Sequence, residues 1–222
     1  PASLKKLNCS DCTSLLKIPS LPTSLEELLI SGCASLKSLP ALPPSLKKLI
    51  CYGCVFIVLP DLPASLDRMN CSGNKNIVSL PALAHTRLTE LICFDCENLQ
   101  EIPALPSSLK ILNCHWNPRL EKIPLLPASL TELKCYWCTS LREIPPLPST
   151  LTYLDNDRCS SLTNLPFLPE SLKTFYSFQC NNLPSPIKKV FSMMGTRITT
   201  TERARLNFYN VFKKVILNSI IW

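Results

Sequence analysis

A leucine returns at Leu4, Leu25, Leu46, Leu66, Leu88, Leu109, Leu130, Leu151 and Leu172, so nine units of about 21 residues run through most of the chain. The unit reads S-L-x-x-L-x-C-x-x-C-x-x-L-x-x-[IL]-P-x-L-P-x, as in "SLTELKCYWCTSLREIPPLPS" over residues 129–149. No single unit of this length can bury its own apolar face, so neighbouring units must stack and the chain must grow in one dimension.

Each part of the unit has a reading in backbone terms. The stretch L-x-x-L-x-C alternates apolar and polar residues in its latter half, which predicts a short strand with Leu and Cys inward. The P-x-L-P stretch cannot be helix, because proline lacks an amide hydrogen and restricts the residue before it. The return path is therefore extended or polyproline II-like, which also accounts for 21 prolines beside only 4 glycines. Strand out and extended chain back gives a solenoid coil, with parallel strands roughly 4.8 Å apart.

The unit resembles the leucine-rich-repeat pattern L-x-x-L-x-L-x-x-[NC]-x-L, as in "LKKLNCSDCTSL" over residues 4–15, with Cys in place of the third Leu. The L-P-x-L-P-x-S-L stretch is similar to the short repeats of bacterial effectors of the YopM and IpaH type. The phrase "LPxSLxxLxxxxCxSL" is similar to repeats of plant intracellular immune receptors. The resemblance implies a leucine-rich-repeat solenoid with a curved parallel β-sheet, an extended convex side and a concave surface that binds another protein.

Four units carry a complete Cys-x-x-Cys: Cys9/Cys12, Cys51/Cys54, Cys93/Cys96 and Cys135/Cys138. A zinc site needs four ligands converging on one ion, about 2.3 Å from each sulfur. Complete pairs fall only in alternate coils, roughly 10 Å apart, which is too wide for one tetrahedral ion. Ile30 takes the first Cys position in the second unit, and Asn74 and Asn117 take the second position in the fourth and sixth. Ile for Cys marks a small buried apolar site. Asn for Cys matches the [NC] position of the leucine-rich-repeat pattern, and the resemblance implies a side chain there that satisfies backbone groups as the chain leaves the strand. The cysteines are read as structural, with neither metal nor cofactor implied. Their odd number, thirteen, points to a reducing compartment, the cytoplasm, or the host cytosol for a secreted effector.

Enzymatic readings find little support. His85 lies in the irregular "ALAHTR" turn. His115 is read as standing on a strand, on the opposite face from Cys114. There is no phosphate loop, nucleophile elbow or dense carboxylate pair.

Between the two cysteine positions lie residues read as one outward row per coil. In the later coils this row becomes aromatic. Phe94, His115, Trp116, Tyr136, Trp137 and Phe178, extended by Tyr153 and Tyr176, form the candidate partner-binding patch, expected on the concave face. Exposed Trp and Tyr supply contact area at low entropic cost. The plainer alternative is lateral packing of these rings on one another. Asp95, Glu132, Lys134, Asp155 and Arg158 mix their signs there, so nucleic acid is not indicated.

The formal net charge of +7 resides mostly in the tail, where residues 183–222 carry seven Lys or Arg against the single Glu202. The solenoid is assigned to residues 1–182 and a basic helical C-terminal cap to 183–222. Ala204, Phe208, Val211, Phe212 and Val215 recur there at helical spacing. An amphipathic helix on an anionic membrane is the alternative use of that tail. Because the chain opens on Pro1 and shows no N-terminal cap, residues ahead of it are expected. The functional expectation is a non-enzymatic scaffold for a protein or peptide partner, as a secreted effector acting on host proteins. Two alternatives stand beside it: the substrate-recognition part of a ubiquitin-ligase-type enzyme, and the sensor region of an immune receptor. Elemental analysis of protein purified without chelator should find zinc well below stoichiometric; one ion per chain would contradict the structural reading of the cysteines.

Overall fold

The computed structural model describes residues 3–184 and Asn207. The expected cap over residues 183–222 therefore lies almost wholly outside the described residues. Nine three-residue strands follow one another along the chain: β1 (Lys6–Asn8), β2 (Glu27–Leu29), β3 (Lys48–Ile50), β4 (Arg68–Asn70), β5 (Glu90–Ile92), β6 (Ile111–Asn113), β7 (Glu132–Lys134), β8 (Tyr153–Asp155) and β9 (Thr174–Tyr176). They form one parallel sheet in sequential order, the topology expected when every coil repeats the same path.

Register follows from the repeat. The central residue of each strand pairs with the central residue of the next, from Leu7↔Leu28 through Leu133↔Leu154 to Leu154↔Phe175. These centres point inward. Leu28, Leu49, Met69, Leu91, Leu112, Leu133, Leu154 and Phe175 are all buried, and the opening leucines from Leu25 to Leu172 join them in one continuous core. Each such side chain contributes about 1.5–3 kcal/mol relative to exposure. A one-residue slip would turn a whole coil's apolar set to solvent, so the register is strongly specified.

The return segments are extended, with isolated parallel bridges linking Ser79, Glu101, Lys122 and Glu143 in successive coils. The third unit is one residue short, at 20 residues. There Phe56 is buried where other coils place Leu, while Ile57 and Val58 face outward.

Two side-chain ladders tie coil to coil where backbone bonding stops. The Ser or Thr that precedes each opening leucine donates to the carbonyl of the preceding coil's opening leucine, as in Ser24 to Leu4 at 2.8 Å, Ser65 to Leu46 at 2.7 Å, Thr150 to Leu130 at 2.8 Å and Ser171 to Leu151 at 2.7 Å. The fifth unit has Arg87 at this position. There Thr86 Oγ1 donates to the Leu83 carbonyl and His85 Nε2 to the Leu62 carbonyl, each at 2.7 Å. This gives His85 a structural role in the irregular turn.

The second ladder uses the second cysteine position. From the second coil to the ninth, its side chain donates to the carbonyl that ends the preceding coil's inward run: Cys33 to Cys9 at 3.2 Å, Cys54 to Ile30 at 3.1 Å, Asn74 to Cys51 at 2.8 Å, Cys96 to Cys71 at 3.4 Å, Asn117 to Cys93 at 3.0 Å, Cys138 to Cys114 at 3.1 Å, Cys159 to Cys135 at 3.1 Å and Cys180 to Asn156 at 3.1 Å. All thirteen cysteines are free thiols. Burial pushes the Cys51 and Cys93 thiols well above their usual value, and those of Cys54 and Cys180 up to about 11. A thiol held protonated is a poor nucleophile and a useful donor.

Beyond residue 184, Asn207 is the one residue that is described. It is helical, and its amide both donates to the Leu168 carbonyl at 3.1 Å and accepts from the Leu168 N–H at 2.9 Å.

Asn117 makes the fullest use of the second ladder, donating also to Cys114 O at 2.8 Å and accepting from Cys96 N–H at 2.8 Å. Asn117→Ala leaves buried backbone groups unpaired and should cost about 2–4 kcal/mol in urea unfolding. Asn117→Cys should cost markedly less, because Cys33, Cys54 and Cys138 already do that work. Equal losses would show that the ladder contributes nothing beyond volume.

Candidate functional site

Each coil leaves the sheet in the same way. Two residues after the inward position stands a residue with positive φ: Asp11, Gly32, Gly53, Gly73, Asp95, Trp116, Trp137, Arg158 and Gln179, with φ from 55° at Asp95 to 68° at Gly32. Its N–H continues the inter-coil ladder past the strand, as in Gly53 to Ser72 O at 2.8 Å, Trp116 to Tyr136 O at 2.9 Å and Trp137 to Asp157 O at 2.8 Å. Glycine suits this left-handed turn, and at Gly32 a Cβ would also lie 2.4 Å from Asp11 Oδ1. Any residue with a Cβ is strained there by roughly 1–2 kcal/mol, and a bulky one is an outlier. Two adjacent coils nevertheless put tryptophan at this position.

The strands end before the first cysteine position. This corrects the expectation that His115 stands on a strand. β6 stops at Asn113, and His115 stands two residues beyond it, in the exit turn. The reason is the left-handed residue that follows, which takes the chain out of the sheet. Tyr153 and Tyr176 alone among the eight candidates are strand residues, and they are offset by two residues, since Tyr153 pairs with Thr174 and Tyr176 with Asp155.

The turns bring the rings into columns along the solenoid. Phe94, His115 and Tyr136 stack face to face, with centroids 4.5 and 4.1 Å apart and planes within 12° of parallel. His115 Nδ1 donates to Asn113 Oδ1. Burial pushes the His115 pKa down to about 4, so the imidazole in this stack is neutral near pH 7. Trp116 and Trp137 form a second column at 5.1 Å, and the Arg158 guanidinium lies over the Trp137 ring at 4.5 Å. Tyr153 and Tyr176 meet at 6.0 Å in a tilted pair, with Lys134 Nζ 5.2 Å from the Tyr153 ring centre. Phe178 extends the line of the first column beyond Asp157, which interrupts it and accepts the Phe178 N–H at 2.6 Å. Lateral packing of the rings therefore occurs, yet Trp116 remains 48% exposed and Phe178 41%.

The charged residues among these rings matter as much as the rings. Asp155 is a strand residue whose Oδ1 accepts the Asp157 N–H at 3.2 Å. Burial lifts its carboxyl to about 6 against the opposing pull of Lys134, and burial lifts Asp157 as well. The Tyr153 phenol rises to about 12, chiefly through burial and then through Asp155. At the other end of the sheet, Glu26, Glu27, Lys47, Lys48, Asp67 and Arg68 line a shallow groove. There the charges largely satisfy one another, with Glu26 held by Lys5 at 2.7 Å and Lys47 at 2.6 Å. Among the described residues no group of three or more His, Cys, Asp or Glu is placed to hold a metal ion.

No family model matches the chain, and no curated protein does. Among solved structures it is similar to YopM, a leucine-rich effector protein from Yersinia pestis, with 28% identity, a TM-score of 0.60, and 83% of this chain matched to 58% of that one. YopM from Yersinia enterocolitica WA-314 matches at 26% identity and TM-score 0.43 over 72% of this chain and 43% of that one. A leucine-rich repeat protein from Bacteroides ovatus matches at 20% identity and TM-score 0.41 over 82% and 64%. The chain spans 58% of the length of the Yersinia pestis protein. The repeat, the sequential parallel sheet and this likeness agree: the chain is a parallel β-solenoid that resembles the leucine-rich effector YopM.

Proposed function

We propose that this chain is a non-enzymatic scaffold that captures another protein with the aromatic exit turns of its fifth to ninth coils. The observation that carries this reading is tryptophan at two consecutive left-handed positions. Earlier coils place glycine there without strain, so the fold does not call for Trp116 or Trp137. Strain retained against an available glycine is the mark of a site kept for use. Indole rings presented in this way offer a large contact area with little conformational entropy left to lose.

The likeness to a bacterial effector supports a role as a secreted effector that engages host proteins. Thirteen free thiols suit the reducing cytosol where such a protein would act. Cysteines that are mostly buried in the core and a patch built of rings speak for recognition rather than chemistry.

The test is comparative capture from a host-cell lysate, using wild type, Trp116→Ala/Trp137→Ala, and Tyr52→Ala as an exposed aromatic control in an early coil. The tryptophan variant should keep the wild-type circular dichroism and lose its partner by about 30-fold per tryptophan, the scale of a buried hot spot. Tyr52→Ala should retain it. Capture unchanged in the tryptophan variant would contradict the patch.

A further inference from the structure

The eighth coil contains two carboxylates that the fold does not need. Asp155 Oδ1 accepts the Asp157 N–H at 3.2 Å, and Asp157 Oδ1 accepts the Phe178 N–H of the next coil at 2.6 Å. The fourth coil makes the same two bonds with uncharged residues: Asn70 Oδ1 accepts the Ser72 N–H at 3.0 Å, and Ser72 Oγ accepts the Phe94 N–H of the next coil at 3.2 Å. Asn and Ser complete the turn, so the negative charges at Asp155 and Asp157 serve something else.

Those charges also lack a close ion pair. Among the described residues neither Asp155 nor Asp157 has an ion-pair partner within 4 Å. The two nearby cations attract them only at longer range: Lys134 is held by Glu132 beside the Tyr153 ring, and the Arg158 guanidinium lies over the Trp137 ring. Both carboxylates are partly desolvated, which lifts their pKa values. Burying charge without a partner is costly, and a cation arriving from outside offsets that cost. The outward residues beside them are Tyr136, Tyr153 and Tyr176, whose ring faces attract ammonium and guanidinium groups.

Resting on the scaffold reading above, we infer that the partner segment seated on the seventh to ninth coils is basic. It places an Arg or Lys side chain among Tyr136, Tyr153 and Tyr176, with Asp155 and Asp157 as its counter-ions. Charge complementarity sets the occupant. The net charge of +7 resides mostly in the tail and residues 1–182 are close to neutral, so a basic segment is drawn here by the local field and not by the charge of the solenoid as a whole.

The probe is fluorescein-labelled hexa-arginine amide, followed by anisotropy at low salt, with hexa-glutamate as the opposite-charge control. The test variant is Asp155→Asn/Asp157→Ser, which copies the fourth coil's own pair and should therefore fold, melting no lower than wild type near pH 7. Hexa-arginine should bind wild type saturably, and about tenfold or more weakly in the variant. Absence of saturable hexa-arginine binding, or equal affinity in the variant, would each overturn the inference. Partner capture separates the two readings. Capture lost in the tryptophan variant but kept in Asp155→Asn/Asp157→Ser removes the cation alone, whereas capture kept in both removes the scaffold reading with it.

Discussion

Each coil turns out of the sheet through one left-handed residue, and the rest of the structure is organised around that turn. It lets the N–H of the positive-φ residue reach the next coil's carbonyl, extending a three-residue strand ladder by one more bond. It brings the second cysteine position inward, where a thiol or amide meets the carbonyl that the preceding coil would otherwise bury unpaired. In the later coils it also points the remaining side chains of the turn outward. The backbone conformation that closes the core is thus the one that aims Phe94, His115, Trp116, Tyr136 and Trp137 into their columns.

The repeat itself works as a set of internal substitutions. At the left-handed position glycine appears in three coils and tryptophan in two, with the same φ range. At the outward strand position Asn70 and Asp155 accept the same backbone hydrogen bond. Where two coils do identical structural work with different side chains, the difference between them is free for another purpose. On this basis the early coils are the plain version of the fold. The later ones are the same coil with rings and carboxylates that lack a close ion pair added, side by side because in-register stacking aligns equivalent positions along the solenoid.

Much of the architecture was legible in the sequence. The spacing of Leu4 through Leu172 specified the coil and its inward residues, and Ile30 and Asn74 exposed the Cys-x-x-Cys pairs as core and turn positions. The extent of the strands was not legible. Alternation in L-x-x-L-x-C continues past Asn113, and the feature that ends the strand is a positive φ whose usual sign, glycine, is present in only three of the nine coils. Asp, Trp, Arg and Gln at the other six conceal it. The serine ladder was hidden for a different reason: Ser65 recurs in plain view, but its acceptor is the carbonyl of Leu46, one coil away. The aromatic residues could be named from the sequence, whereas their division into columns depends on which turn residues face the same way.

If the left-handed tryptophans are kept for binding, restoring glycine should separate stability from function. Trp116→Gly/Trp137→Gly relieves about 1–2 kcal/mol of backbone strain per site, against which stand glycine's greater unfolded-state entropy and the lost ring stacking. The most direct measurement is therefore the urea stability of this variant paired with its partner affinity. The account predicts stability within about 1 kcal/mol of wild type and loss of capture. A variant that loses several kcal/mol in stability while still holding its partner would show that the tryptophans belong to the fold and not to a site.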